Sequence, residues 1–340
     1  MSLTRRGVLA FGGTAVAATL LGGSSRAQTR GVTPISPRVD RLPWFYARDH
    51  SARRFGALTF RSGVEINDPY PFFGGFSGLW RSPDGGSLLA VSDNGDWFSA
   101  DIRDDGEGIS GLDSAAMAPM LDARGRPLGM TEHFDVEALD VADGVAYVAI
   151  ERTNALMRFD LREGGITVRG EELPAPPEMR TWARNKGPEG LAVAPPASPV
   201  AGALVVIAER SRPGADSPTQ GVIVEGDRHG VFEVARSEWF DITDIEFLEN
   251  GDLLLLERRY RIFRDIGARV RRIPGETIRP GALLDGPVIF EAGARHQIDN
   301  MEGLASHRAA SGELVLTMIS DDNFSILQRT LLLEFVLDGA

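Results

Sequence analysis

Hydrophobic and polar positions repeat five times along the chain, at intervals of 52 to 60 residues. Each copy has a polar or acidic position, a short apolar run, a tight turn, a longer apolar run and a second acidic residue. Residues 241–260 illustrate the pattern with DITDIEFLENGDLLLLERRY. We call the first polar position of each copy its anchor, and the five anchors are Ser77, Glu137, Glu189, Glu246 and Glu302. Repetition at a nearly constant period is typical of solenoids, propellers and arrays.

Each copy predicts a hairpin followed by a further strand. Turn residues separate the two apolar runs, and Asp-Gly or Asn-Gly at such a place is the strongest short hairpin signal. The turns are Asp84-Gly85, Asp143-Gly144, Ala201-Gly202, Asn250-Gly251 and Ser311-Gly312. The second run is apolar on both faces, which indicates a strand buried on both sides. A third strand is expected at 156–161, 231–234, 269–273 and 331–336.

Small antiparallel sheets that bury both faces against their neighbours are the blades of a β-propeller. We therefore predict an all-β fold with five blades, one for each repeat. Six blades are the alternative, with a degenerate blade in residues 101–131 or 165–184. A strand near residues 55–60 is expected to complete the last blade, which would close the ring and remove its open sheet edges.

The N-terminus has the pattern of a targeting segment. Arg5-Arg6 resembles a twin-arginine motif, residues 8–21 are mostly apolar, and Ser25-Arg26-Ala27 offers small residues for cleavage. The apolar stretch is too short for a good membrane span. We predict a signal peptide at 1–27, a polar tether at 28–43 and a single propeller domain at 44–340. The mature protein would then be periplasmic or secreted.

Composition narrows the classes of partner. The net charge of −12 argues against nucleic acid or an anionic membrane, and it fits either a cation-binding protein or an acidic surface. The chain has no cysteine, which excludes disulfides, thiolate nucleophiles and zinc–thiolate sites. We expect a small anionic substrate, no membrane span after signal removal, and a monomer.

The repeats also predict where acidic side chains meet. Each anchor begins the first strand of its repeat, and a second acid ends the second strand, so antiparallel pairing puts both at one edge. The strand-end acids are Asp93, Glu151, Glu209, Glu257 and Asp321. Carboxylates ~5 Å apart repel by roughly 3 kcal/mol per pair at an effective dielectric constant near 20. A cation, interleaved arginines or protonation must relieve this repulsion.

Oxygen ligands without cysteine favour Ca²⁺, with Mg²⁺ possible. The predicted ligands are Glu137, Glu189, Glu246, Glu302, Asp93 and Asp321. Glu189 is the candidate general base, and His296 is a second candidate catalytic residue. The candidates for holding an anionic substrate are Arg152, Arg184, Lys186, Arg210 and Arg258. The alternative for these groups is a purely structural ion or Glu–Arg salt bridges between blades.

Several motifs resemble those of the phytase-like family, also called the esterase-like activity of phytase family. They are Gly74-Gly75-Phe76-Ser77-Gly78-Leu79, Ser92-Asp93-Asn94-Gly95, Asp135-Val136-Glu137-Ala138-Leu139, Pro188-Glu189-Gly190-Leu191, residues 253–259 and Asn300-Met301-Glu302-Gly303-Leu304. The resemblance implies a β-propeller, export, and metal-assisted hydrolysis of phosphoesters or esters. The ligand assignments above come from the repeats and not from this resemblance.

Three functions stay open at this point. The first is a Ca²⁺-dependent phosphoester hydrolase. The second is a lactonase-like esterase propeller, which would also place acids around an axial calcium. The third is a non-catalytic propeller that binds a ligand or partner and uses a cation for structure alone.

Overall fold

The computed structural model describes residues 30–224, 228–261 and 265–339, and these residues form an all-β fold, as the repeats predict. The described residues contain 24 strands in five sheets and no α-helix. Short 3₁₀ turns lie at Leu128–Met130, Leu161–Glu163, Gly165–Thr167, Pro177–Thr181 and Gly275–Thr277. No helix in the described part of the chain is long and apolar enough to cross a membrane. The predicted signal peptide, 1–27, lies outside the described residues.

The first two sheets are the first two blades of a propeller. Blade 1 contains β1 (Thr33–Pro34), β5 (Phe76–Arg81), β6 (Ser87–Ser92), β7 (Asp96–Asp104) and β8 (Ile109–Pro119), in the order β1-β8-β7-β6-β5. Blade 2 contains β9 (Val136–Ala142), β10 (Val145–Ile150), β11 (Ala155–Asp160) and β12 (Glu171–Leu173), in the order β12-β11-β10-β9. The residues considered for a sixth blade therefore belong to these two sheets and their connections.

The next two sheets follow the same plan. Blade 3 contains β13 (Pro188–Val193), β14 (Leu204–Ala208), β15 (Thr219–Val224), β16 (Gly230–Val234) and β20 (Leu283–Leu284). Blade 4 contains β17 (Asp241–Phe247), β18 (Leu253–Arg261), β19 (Asp265–Ile273) and β21 (Val288–Gly293). The strand predicted at 231–234 exists, but it is the fourth in its blade because β15 precedes it.

Blade 5 joins the two ends of the described chain. It contains β2 (Arg38–Arg41), β3 (Arg54–Phe55), β4 (Leu58–Asn67), β22 (Asn300–Arg308), β23 (Leu314–Asp321) and β24 (Thr330–Leu337). The long strand β4 pairs antiparallel with β24, so the predicted closure of the ring is confirmed. The prediction of a tether at 28–43 is wrong for its described part, because β1 and β2 lie there and pair with β8 and β4. Backbone hydrogen bonds hold these polar edge strands in place. The pattern of apolar residues along the sequence does not indicate such bonds.

The innermost strands β5, β9, β13, β17 and β22 contact one another in turn, and β22 returns to β5. They line a central channel, and the five predicted blades are confirmed. Five apolar clusters lie between neighbouring blades, one at each of the five interfaces. The second strands are covered on both faces, and every residue of β14 and β23 is buried. Blade-to-blade packing is therefore the core of the protein.

A β-bulge occurs at the same place in every innermost strand. Pairing with the second strand slips by one residue at Ser77, Glu137, Glu189, Thr243 and Glu302. A bulge leaves one residue unpaired and redirects its side chain. After the bulge, the close approach of strands demands a small residue: a Cβ on Gly190 would lie 2.8 Å from Ile245 Cγ2. In the Glu-Gly-Leu motif, the bulge therefore redirects the glutamate, the glycine permits the close approach of strands, and the leucine packs in the core.

Candidate metal centre

The five bulges lie near the start of the innermost strands and therefore at one mouth of the channel. Glu137, Glu189 and Glu302 occupy three of them, as the anchors predict. In blade 4, the equivalent position is Thr243 and not Glu246. Glu246 is three residues farther along β17, where its Oε1 accepts hydrogen bonds from Ser306 N at 2.9 Å and Ser306 Oγ at 2.5 Å. The structure therefore does not bring Glu246 to the other glutamates; it lies towards the opposite mouth.

A second ring of side chains surrounds the bulges, at the ends of the second strands. Four of its members are the predicted Asp93, Glu151, Glu209 and Asp321. The residue that would complete the ring in blade 4 is Arg258, because it is Glu257 that pairs across from the residue before the bulge. Glu257 is fully buried elsewhere, between Arg269 and Arg271. Blade 4 thus contributes a threonine and an arginine where the other blades contribute mostly acids.

Two groups of carboxylates could each hold a metal ion. One is Asp135, Glu137 and Glu151, and the other is Glu151, Glu189 and Glu209. Within each group, one oxygen from every carboxylate lies within 4.8 Å of those from the others. Glu151 belongs to both groups, so the two are continuous across blades 2 and 3. This spacing suits a Ca²⁺ or Mg²⁺ ion bound by oxygen ligands.

Burial raises the pKa of these carboxyl groups. It raises the pKa of Glu151 to about 7 and that of Glu302 to about 8. Burial, together with the neighbouring carboxylates, raises the pKa of Glu137 and Glu189 well above the ordinary value. The charged form of each group is disfavoured because water is excluded and like charges lie nearby. A bound cation would reverse this penalty, so the electrostatics of the mouth fit a cation.

Two cationic side chains balance part of the negative charge. Arg258 Nη1 lies 2.8 Å from Glu302 Oε1, and Arg258 Nη2 lies 3.7 Å from Glu209 Oε1. Lys186 Nζ lies 2.5 Å from Glu209 Oε2. These two cations face more carboxylates than they can neutralise, since Glu137, Glu189 and the strand-end acids share the same mouth.

Two buried carboxylate oxygens at the mouth have no hydrogen-bond partner. They are Asp93 Oδ1 and Glu302 Oε2. The other oxygen of Glu302 accepts from Asn300 Nδ2 at 2.8 Å and faces Arg258, so the carboxylate is held in one orientation. Leaving a buried acceptor unpaired costs free energy unless an ion, water or substrate satisfies it. These oxygens are a further observation, independent of the clusters, that fits a ligand at the mouth.

A basic cavity of about 610 Å³ lies beside the mouth. Its lining includes Arg152, Arg180, Arg184 and His133 together with Glu132 and Glu172, so the arginines outnumber the glutamates. The Arg152 guanidinium lies 4.4 Å above the ring of Phe134. Burial raises the pKa of Asp135, and the charge of Arg152 offsets part of that rise. The cavity therefore places positive charge next to the carboxylates of blade 2.

Two predicted site residues have other surroundings. Arg210 forms an ion pair with Asp241, which also pairs with the buried Arg236. The ring of His296 stacks on Tyr46, 4.8 Å away between centroids, and its Nδ1 accepts a hydrogen bond from Gly293 N. Burial lowers the pKa of His296. The structure does not bring these two side chains to the carboxylates.

Sequence reasoning assigned no role to Asp135 and gave Thr243 no place. Asp135 has a positive φ of 75°, a conformation that is uncommon for residues other than glycine. Thr243 could have been identified by aligning the five repeats on the aliphatic residue that lies two positions after each bulge. These aliphatic residues are Leu79, Leu139, Leu191, Ile245 and Leu304, and all are buried.

Comparison with known proteins gives one family match and matches to solved structures at low identity. The family model described as "Phytase-like: Esterase-like activity of phytase" matches residues 71–324. No curated protein matches the chain. A chain in the structure of S. cerevisiae Dbp5 bound to Nup159, Gle1, IP6 and ADP is similar over 87% of this chain and 98% of its own, with 12% identity and a TM-score of 0.36. PQQ-bound aldose sugar dehydrogenase from Streptomyces coelicolor is similar over 89% of this chain and 100% of its own, with 11% identity and a TM-score of 0.41.

Proposed function

Because the chain belongs to the phytase-like family, we propose that it hydrolyses phosphoesters or related esters with the help of a divalent cation, Ca²⁺ first and Mg²⁺ as the alternative. One observation carries the proposal. Glu151 is shared by two carboxylate groups whose oxygens lie within 4.8 Å, at a mouth where further buried oxygens have no partner. A bound cation would relieve the repulsion among these carboxylates.

The cation would be held by Asp135, Glu137, Glu151, Glu189 and Glu209. When bound, it would supply positive charge that polarises an ester or phosphoryl oxygen. Glu189 is assigned here to cation binding, because it lies among these carboxylates and not apart from them.

Glu302 is the proposed proton acceptor. Its Oε1 is fixed by Asn300 and Arg258, while its buried Oε2 has no partner. A carboxylate that is oriented on one side and open on the other can take a proton from water that attacks the substrate. Asn300 also donates to Asp321 Oδ2 at 3.3 Å, which couples this acid to the same network.

The positive groups beside the mouth would receive the anionic part of the substrate. Arg152 and Arg184 line the 610 Å³ cavity, and Lys186 reaches Glu209 from the loop before β13. Guanidinium groups suit phosphate and carboxylate because they donate two parallel hydrogen bonds. Arg210 and His296 are left out of this proposal because their side chains are engaged elsewhere.

The test is turnover by the purified protein. A panel of phosphomonoesters, phosphodiesters, carboxyl esters and lactones is assayed with Ca²⁺, with Mg²⁺ and with EDTA. We expect phosphoester hydrolysis that EDTA abolishes. Glu151→Gln is expected to lower kcat at least about a hundredfold, since it removes the shared ligand. Glu246→Gln is the matched control, because it changes a carboxylate of the same channel at the opposite end. Lactone turnover without phosphatase activity would select the lactonase-like reaction instead.

A non-catalytic propeller with a structural cation is the second candidate. The carboxylates that share Glu151 come from blades 2 and 3, so a cation there would also join two blades. This candidate expects no turnover in any arm of the panel. It also expects Glu151→Gln to lower the melting temperature in Ca²⁺ and to leave it unchanged in EDTA.

We further propose export through the twin-arginine pathway to the periplasm or beyond, and action as a monomer. Arg5-Arg6, the apolar residues 8–21 and the small residues at 25–27 support the proposal. Mass spectrometry of the protein from the periplasmic fraction is expected to give an N-terminus at Gln28. Retention of the uncleaved chain in the cytoplasm would contradict export.

A further inference from the structure

One loop at the acidic mouth carries the most exposed apolar side chains in the described part of the chain. It connects β23 to β24 and comprises residues 322–329, and we call it the mouth loop. The exposed fraction is 101% for Ile326 and 88% for Leu327. The connection begins directly after Asp321, a member of the acidic ring, so these side chains lie at the same mouth of the channel as the candidate metal centre.

Hydrogen bonds hold the mouth loop in this exposed position. Asp322 Oδ1 accepts from Gly75 N and from Phe324 N, each at 3.0 Å, and Asp322 Oδ2 accepts from Thr330 Oγ1 at 3.0 Å. The Asn323 N–H donates to Asp321 Oδ1 at 2.6 Å. Both strands beside the loop are buried, so its base is fixed to the ring of acids. Ile326 and Leu327 therefore lie between two fixed ends of the loop.

The backbone of the mouth loop is strained where it turns towards the mouth. Asn323 and Phe324 have φ values of 49° and 48°. Such values are outliers for a bulky residue, and strain of this kind concentrates at ligand clamps and active sites. Phe324 Cε2 and Asp93 Oδ1 lie 2.5 and 2.6 Å from the point where a Gly75 Cβ would stand. The Phe324 ring and the unpartnered oxygen of Asp93 therefore both lie next to Gly75.

We propose that the mouth loop binds the apolar part of an amphiphilic ester whose anionic head lies at the carboxylate centre. This inference rests on the proposed function and names its substrate class. Phe324 would cover the first carbons of the chain, and Ile326 and Leu327 the next. The site would then select esters with alkyl or aryl groups over small hydrophilic ones.

Charge favours a single amphiphile over other occupants of the loop. Asp93, Asp321 and Asp322 surround its base, and the net charge of the chain is −12. An anionic bilayer would be repelled by this face. A second copy of the chain would bring its own acidic mouth against the first, which like charge also opposes. One ester molecule reduces both costs, because its single anionic head would lie against the bound cation of the proposed function and its tail against the loop.

Binding of two non-hydrolysable ligands tests the inference without relying on turnover. Methylphosphonate and octylphosphonate are titrated calorimetrically into the purified protein with Ca²⁺, below the concentration at which the octyl compound aggregates. Each methylene taken out of water favours binding by about fourfold. We expect octylphosphonate to bind at least about tenfold more tightly than methylphosphonate.

The variant Ile326→Ser/Leu327→Ser is expected to remove that preference and to leave methylphosphonate binding unchanged. Both side chains are fully exposed, so the fold should tolerate the change. Leu283→Ser is the matched control, because Leu283 is also exposed but lies on β20 at the edge of blade 3. Equal affinity for the two phosphonates in the unchanged protein would overturn the inference. An equal loss of both in the variant would also overturn it.

Further experiments distinguish an ester from a lipid surface or a second copy of the chain as the occupant of the loop. They also show whether the proposed function fails separately from this inference. Co-sedimentation with phosphatidylcholine vesicles that the double variant abolishes, without an octyl preference, identifies a lipid surface and overturns the inference. A dimer in analytical ultracentrifugation that the double variant dissociates identifies a second copy and likewise overturns it. An octyl preference without hydrolysis of any ester supports the apolar site while the proposed hydrolysis fails.

Discussion

Replacing Arg258 with methionine should weaken the fold and at the same time strengthen cation binding. Arg258 stands in the ring where the other blades place acids, 2.8 Å from Glu302 Oε1 and 3.7 Å from Glu209 Oε1. Its removal leaves Glu302 without its cationic partner and leaves Glu209 with Lys186 alone. A bound cation can then replace the lost charge. In the unchanged protein, Arg258 already supplies that charge, so we expect weaker cation binding there.

The loss of stability in Arg258→Met can be estimated from these distances. Breaking a buried ion pair costs about 3–5 kcal/mol. The Arg258 side chain keeps 23% of its surface accessible, so we take the low end, about 3 kcal/mol. For a large domain, each kcal/mol lowers Tm by roughly 2–4 °C. In EDTA, Arg258→Met should therefore melt about 6–12 °C below the unchanged protein.

The change in cation binding is measured by repeating the thermal melts with added Ca²⁺. A ligand that binds only the folded state raises Tm by an amount that increases with the logarithm of its affinity. The rise caused by Ca²⁺ should be larger for Arg258→Met than for the unchanged protein. Arg269→Met is the control, because Arg269 Nε lies 2.6 Å from the buried Glu257 and apart from the mouth. It should lose similar stability with an unaltered response to Ca²⁺. A smaller Ca²⁺ response in Arg258→Met would refute the reasoning.

Three further predictions concern the channel and the closure of the ring. Burial raises the pKa of Glu246 from 4.5 to about 8, so the unfolded chain releases this proton at lower pH than the folded chain. Stability should therefore fall between about pH 4.5 and 8, and Glu246→Gln should flatten that slope in urea titrations; an unchanged slope would contradict the assignment. Gly190→Ala should cost about 1–3 kcal/mol in urea unfolding, because its Cβ would meet Ile245 Cγ2 at 2.8 Å, whereas Gly31→Ala should cost little. Deletion of residues 1–41 removes β1 and β2, which pair with β8 and β4, and should lower Tm; a truncated protein with unchanged Tm would indicate that these edge strands are dispensable.

The repeats predicted the propeller because each blade is encoded locally. A turn such as Asn250-Gly251 between two apolar runs specifies a hairpin, and continuous apolar runs specify burial on both faces. The number of blades and the closure by β4 follow from the same pattern. The polar strands β1 and β2 did not follow from it, because only backbone pairing with β8 and β4 positions them.

Only part of the candidate site could be predicted from the sequence. A β-bulge redirects one side chain without changing the composition of its strand. Glu137, Glu189 and Glu302 share a Glu followed by a small residue and an aliphatic one, and the structure places all three at bulges. In blade 4, the acidic residue nearest to that pattern is Glu246, but the slip in pairing occurs at Thr243. Pairing register depends on the partner strand, which the local sequence of one strand does not contain.

The fifth blade has a consequence for how the polypeptide acquires its shape. The strands that begin it and those that end it come from opposite ends of the chain, and the Arg61–Glu334 contact spans 273 residues. Earlier blades can assemble from neighbouring hairpins as synthesis proceeds, whereas this one must wait until β24 has left the ribosome. Until then the edge of β4 that pairs with β24 is unpaired, so a chaperone is most useful in the interval before ring closure.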